Sequence, residues 1–271
     1  MNPSLARYGK VPFVGDLMAS RWAFESLCLA QFRYNSFDSQ FFKINKGISK
    51  ASFKIVYWLP EMNSITNELN EALIENDSKS INQAVLLIQK LRPILQFEVA
   101  KENKFNRQVK FPLTSLKTQN ISFSTILELE KYLSHLERYY RKKLQLNQSQ
   151  KDRMVEGIIE DVGKEGYLKM YQASHNEALD DFLTRKGEEY RIIHADGHLV
   201  QQTDPIYNDE VIPRHPVDYR SHFFSPYKYF VGRRFDTFWF DIYVLWFMVF
   251  ALFLALYFDL LKRIVEFRFK M

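Results

Sequence analysis

Residues 242–258 read Ile-Tyr-Val-Leu-Trp-Phe-Met-Val-Phe-Ala-Leu-Phe-Leu-Ala-Leu-Tyr-Phe, an uncharged run without glycine or proline. As a helix it covers about 26 Å at 1.5 Å per residue, and extension from Phe238 to Leu261 brings it to about 36 Å, enough to cross the hydrocarbon core of a bilayer. Trp239 and Tyr243 at one end and Tyr257 at the other are placed as interfacial aromatics, and Trp246 lies inside the run. A buried core helix is the competing reading, but the run lacks a polar stripe. The expected fold class is therefore a mainly α membrane protein with one C-terminal transmembrane helix.

Charge bears on the orientation. Lys262, Arg263, Arg268 and Lys270 follow the run, whereas Arg220, Lys228, Arg233 and Arg234 precede it. The counts are level; Asp236 and Asp241 offset two of the preceding cations, and although acidic residues weigh little in the rule, the balance tips mildly toward an inward C-terminus. Asp241 stands about one turn inside the start of the helix, where a lipid-facing carboxylate costs a few kcal/mol, so it is expected to face protein or water. Asp236 suits the positive end of the helix dipole, and Asp259 reaches the far interface.

The rest of the chain is different in kind. Of 271 residues 25% are charged, and 37 basic side chains are interspersed with 32 acidic ones without a long basic stripe, so nucleic acid is not an expected partner. Cys28 is the single cysteine, which excludes an intrachain disulfide and a multi-cysteine metal site. The first residues carry no basic stretch followed by an apolar core and a small-residue cleavage site, so no signal peptide is expected there.

Val11 to Phe32 alternates apolar positions with Asp16, Arg21, Glu25 and Gln31, too polar a pattern to span a membrane. Leu17, Trp22, Phe24, Leu27 and Cys28 fit an amphipathic helix at the interface, a re-entrant helix, or an ordinary core helix. Ala51, Phe53, Ile55, Tyr57 and Leu59 alternate with their neighbours up to Pro60 and predict a strand. Ser64 opens a helix toward Asn76, and Ser80 opens another that Pro93 is expected to end. Ile126, Leu129, Leu133, Leu136 and Tyr140 behind a Ser124 cap predict the strongest soluble helix. Leu168, Tyr171, His175, Leu179 and Phe182, after breaks at Gly163 and Gly166, predict its antiparallel partner. The middle is thus expected to be a mostly helical soluble domain with minor β near 51–59 and 190–201.

Among chemical motifs, His194-Ala195-Asp196-Gly197-His198 combines imidazole and carboxylate at alternate positions, as a metal site would. Asp-Gly between Ile192-Ile193 and Leu199-Val200 is also a type I′ hairpin signal, and that reading is preferred, so no metal ligand is assigned. There is no phosphate-binding loop, no Gly-x-Ser-x-Gly elbow and no His-Glu-x-x-His helix, so no catalytic residue and no cofactor site is expected in this chain.

The two ends together resemble a known family. Tyr8 to Leu27, and within it Ser20-Arg21-Trp22-Ala23-Phe24-Glu25-Ser26-Leu27, resembles the re-entrant helix after the fifth membrane helix of G-type ABC exporters, with Ser26 where an alanine is usual. Arg220 to Phe230 and Arg234 to Phe240 resemble the approach to the final membrane helix of large bacterial members. The resemblance spans residues 8–34 and 204–267, and the long insertion between them departs from the short loop of better known exporters. It implies the C-terminal portion of an exporter permease: a re-entrant or interfacial segment at 1–34, an extracytoplasmic helical domain at 35–232, a membrane helix at 233–262 and a cytoplasmic tail at 263–271.

The implied partners are the lipid bilayer, five earlier membrane helices and an ATPase domain carrying ATP and Mg, in a longer parent or a separate chain of a bacterial inner membrane. A dimeric assembly follows from the same resemblance. Asp241, Trp239, Trp246, Arg21 and Glu25 are the residues expected to pack the membrane helix. Two rivals remain: a tail-anchored interaction or scaffold protein with a cytoplasmic helical domain, and a membrane-bound enzyme built on His194, Asp196 and His198.

Overall fold

A computed structural model describes residues 13–75, 77–105, 122–184, 191–195, 198–208, 215, 219, 221 and 223–259. The cations from Lys262 onward, the tail 263–271, Tyr8 to Pro12, Arg220 and the Asp196-Gly197 turn lie outside these residues. The described chain is mostly helical: α1 (Phe13–Asp16), α2 (Ala19–Arg33), α3 (Asp38–Phe53), a π-helical turn (Lys54–Trp58), α4 (Leu59–Glu75), α5 (Ser78–Phe105), α6 (Phe123–Ser174), α7 (Glu177–Thr184) and α8 (Thr237–Tyr257). Two antiparallel hairpins complete it, β1 (Ile192–Ala195) with β2 (His198–Gln201) and β3 (Tyr227–Phe230) with β4 (Arg233–Asp236). These elements fall into two compact units, residues 41–169 with 184–207, and residues 1–40 with 170–183 and 208–271.

The first of these units has an apolar core. Trp58, Met62, Ile65 and Leu69 from the α4 region meet Leu91 and Leu95 of α5 and Leu129 and Leu136 of α6. A short polar side chain starts α5. Asp77 Oδ1 accepts from the Ser80 amide at 2.6 Å, capping α5. This hydrogen bond holds the Asp77 carboxyl below its ordinary range.

The strand predicted for 51–59 is helical instead. Burial falls on Ala51, Trp58, Leu59, Met62, Ile65, Leu69 and Ala72, mostly at the three and four residue steps of a helix, while Val56 is exposed. The apparent alternation ended at Pro60, and a π turn solves that problem: the Leu59 amide reaches back to the Lys54 carbonyl, and the wider turn precedes a residue that has no amide to donate.

Pro93 does not end a helix either, because α5 runs through it to Phe105. An interior proline costs about 3 kcal/mol. Leu87, Ile88 and Leu91 before it and Ile94, Leu95 and Val99 after it are all buried, and each large apolar side chain contributes about 1.5–3 kcal/mol. The stripe on both sides outweighs the break.

Gly163 lies inside α6 with φ 76° and ψ 164°, a conformation open to glycine, so the helix is sharply interrupted where a break was expected. The pattern from Leu168 to Phe182 then divides at Ser174 between the end of α6 and α7. Asn176 caps α7 by accepting from the Leu179 amide at 3.0 Å.

Hairpin β1–β2 has the register of a two-residue connection, with Ala195 opposite His198. Asp236 caps α8, its side chain accepting from the Phe238 amide at 3.1 Å. From there α8 runs 21 residues, and its most apolar stretch has mean hydropathy 2.1 with 6% of it buried. It is the one helix among the described residues long and apolar enough to cross a membrane.

Candidate functional site

The second unit is organised around the first turn of α8. Thr237, Phe240 and Asp241 are buried there, whereas Trp246, Phe247, Phe250, Phe253 and Tyr257 further along are exposed. The helix therefore has a polar, protein-covered start and an apolar, uncovered body.

Asp241 is fully buried, with 0% of its surface exposed. Its Oδ1 accepts from Lys228 Nζ at 2.6 Å, and the same ammonium donates to Glu25 Oε2 at 2.7 Å. Lys228 reaches this point because β3 pairs with β4, which leads directly into α8 and turns alternate strand side chains inward. Glu25 comes from α2, where Arg21 one turn earlier approaches its Oε2 at 3.2 Å. The other oxygen of Glu25 accepts from the Phe224 amide at 3.1 Å.

A second layer surrounds the first. Arg21 lies 3.3 Å from Asp16 Oδ1 in an ion pair without hydrogen-bond alignment. Tyr219 donates its hydroxyl to Asp16 Oδ2 at 3.1 Å, and Trp22 Nε1 donates to the Asp16 carbonyl at 2.9 Å. Two cations lie against the Trp22 ring, the Arg21 guanidinium 3.8 Å and Lys228 Nζ 4.7 Å from its centroid. Asp241 Oδ2 and Ser221 Oγ are buried without a hydrogen-bond partner.

A third contact ties the end of α2 to the hairpin. Arg33 donates to the Pro226 carbonyl at 2.8 Å, to Tyr227 and to Asp236. Burial and the Asp236 carboxylate together push the neighbouring Tyr34 phenol up, so it stays protonated through the physiological range. Cys28, on the buried side of α2, has its thiol raised by burial and by Glu25, which makes it a poor nucleophile.

Of the residues singled out in the sequence, the structure brings Asp241, Arg21 and Glu25 together. Trp239 and Trp246 are elsewhere, 57% and 70% exposed on α8. Lys228, Asp16 and Tyr219 were not singled out. Lys228 had one signal, a cation set between aromatics in Tyr227-Lys228-Tyr229, but its partner on α2 is 203 residues away.

The His194 segment is at a different place. His194 Nε2 lies 2.8 Å from Glu61 Oε1, and Lys90 Nζ approaches the same oxygen at 3.6 Å, on an exposed surface. Asp196 and the His198 side chain are outside the described residues, and no cluster of three metal-ligating side chains occurs among the described residues. No family model, curated protein or solved structure matches this chain.

Chemically the α8 cluster is a fastening. One ammonium shared by two carboxylates, two cation–π contacts on Trp22 and a backbone donor hold α2, β3 and α8 together with their charges out of water. A buried pair of this kind is strongly destabilised when one partner is removed, by about 3–5 kcal/mol.

Proposed function

We propose that this chain is the C-terminal membrane portion of an ABC exporter permease. In this reading α8 is the last membrane helix, α2 is a re-entrant or interfacial helix, and the helical unit of residues 41–169 and 184–207 is extracytoplasmic. Transport is driven from an ATPase domain, with its ATP and Mg, carried elsewhere in the parent assembly.

The observation that carries the proposal is the junction of α2 with the first turn of α8 through Glu25, Lys228 and Asp241. A helix that only anchors a domain needs no buried ion cluster at its foot. A permease needs its interfacial helix and membrane helix to move as one body when nucleotide shifts the bundle between two packings. Breaking the Lys228 contacts costs several kcal/mol, so the junction transmits displacement instead of yielding. The uncovered aromatic body of α8 supports a lipid or helix environment, since so large an apolar surface is unfavourable in water.

Topology and company test this. Single cysteines at Gln148 and Lys270, in a Cys28→Ser background, are probed with a membrane-impermeant maleimide on intact spheroplasts expressing the full parent. Label reaches 148 and misses 270, and protein purified in mild detergent through a tag on this chain hydrolyses ATP. Label at 270 with protection at 148, or a preparation free of ATPase, overturns the assignment.

A further inference from the structure

We infer that the solvent-facing side of α6 is a self-complementary surface that pairs with the same helix of a second copy, antiparallel and about a two-fold axis between residues 151 and 152. This inference rests on α6 alone and is independent of the exporter reading.

Lys142, Lys143, Leu146, Gln150, Arg153, Gly157, Glu160 and Asp161 recur at three and four residue steps, so they share one side of the helix. All but Gly157 are exposed, and Leu146 has 56% of its surface in water. Gly157 is the unusual member. A glycine in the interior of a helix costs about 1 kcal/mol relative to alanine. Its backbone is helical and a Cβ built there meets nothing within 4 Å, so neither backbone conformation nor packing within the chain calls for glycine. A bare backbone patch lets a side chain from another helix approach closely.

Charge is segregated along the same helix. From 138 to 153 it carries Arg138, Arg141, Lys142, Lys143, Lys151 and Arg153 against Asp152, and from 154 to 162 it carries Glu156, Glu160 and Asp161 with no cation. Two parallel copies would set like charges side by side. Two antiparallel copies set the basic half of each on the acidic half of the other, as an isologous interface requires.

One register satisfies every position at once. With the axis between 151 and 152, Leu146 of one copy lies over Gly157 of the other, Lys143 faces Glu160, Lys142 faces Asp161, and Gln150 faces Arg153. Each contact occurs twice. The paired stretch from 142 to 161 is about 30 Å long. An interface of one helix pair is at the small end of stable associations, so it is weak in dilute solution and gains when both copies are confined to one membrane.

Oxidative cross-linking of the full chain in membranes, again with Cys28→Ser, decides the matter. Copies carrying Leu146→Cys mixed with copies carrying Gly157→Cys form a disulfide-linked dimer. Neither variant alone does, because two copies of residue 146 are about 16 Å apart along the axis in this register, beyond disulfide reach. Lys142→Glu with Lys143→Glu lowers the mixed yield at least several-fold, and adding Glu160→Lys with Asp161→Lys to the same chain restores it. Strong cross-linking of either single variant means a parallel pair and overturns the inference. So does cross-linking only to another protein, an absence of cross-links in every combination, or a yield indifferent to charge reversal.

Discussion

Lys228 is the residue on which the second unit turns, since it is the ammonium shared by Glu25 and Asp241 at 2.7 and 2.6 Å. Lys228→Met leaves two carboxylates facing each other out of water, and the expected loss is about 3–5 kcal/mol. In detergent this appears as a lowered thermal midpoint or as protein that fails to accumulate. Combining Lys228→Met with Glu25→Gln and Asp241→Asn removes the uncompensated charge and recovers most of that loss, a result that a purely steric role for Lys228 does not give. A milder residue-scale effect belongs to Asp77. Its folded pKa is depressed, so its contribution to the start of α5 is complete above the unfolded value and is lost as pH falls through the lower folded one. Asp77→Asn keeps the cap but removes this titration, and amide exchange in the first turn of α5 then becomes flat across that acidic window. A carboxylate one turn into an apolar helix is visible in sequence. Its partner is not, because Lys228 is brought to it by a strand pairing and Glu25 by a helix near the other end of the chain.

At the scale of elements, what was legible is what depends on local period. The apolar run of α8, the helix carrying Ile126 to Tyr140 and the pairing of Ile192–Ala195 with His198–Gln201 all follow from spacing within a dozen residues, although that helix starts at Phe123, so Ser124 lies inside it and is not its cap. What was not legible is where burial overrules a local signal. Pro60 and Pro93 read as stops, yet both sit in helices because the apolar stripes flanking them continue in phase. The alternation at 51–59 misled because Ile55 and Tyr57 are only partly buried while Trp58, counted on the opposite face, is 1% exposed. The stripe of α5 makes its own prediction: Leu91→Ala, at a fully buried position in contact with the core of α4 and α6, costs about 2–5 kcal/mol. Urea unfolding of the unit measures this, and a loss under about 1 kcal/mol removes the burial argument for a helix that continues through Pro93.

At the scale of the whole molecule, the sequence order of the units differs from their spatial membership. The unit of residues 41–169 and 184–207 interrupts the other one, which is assembled from both ends of the chain and from residues 170–183 between them. Each unit should therefore report its own damage: Leu91→Ala broadens or lowers a transition that Lys228→Met leaves in place, and the reverse. Coincident loss of all structure in both variants shows one cooperative body in place of two.

The separation of Glu25 from Lys228 by 203 residues also sets a timetable for synthesis. At roughly 5–20 residues per second, α2 leaves the ribosome about 10–40 s before the strand that neutralises its carboxylate has been made. Throughout that interval Arg21, one turn away in the same helix, is the cation at hand for Glu25, and the apolar side of α2 has no α8 to cover it. The early helix must wait in water, at the membrane surface or with a chaperone. Nascent chains halted before residue 228 accordingly expose α2 to protease, and chains released after α8 has emerged protect it.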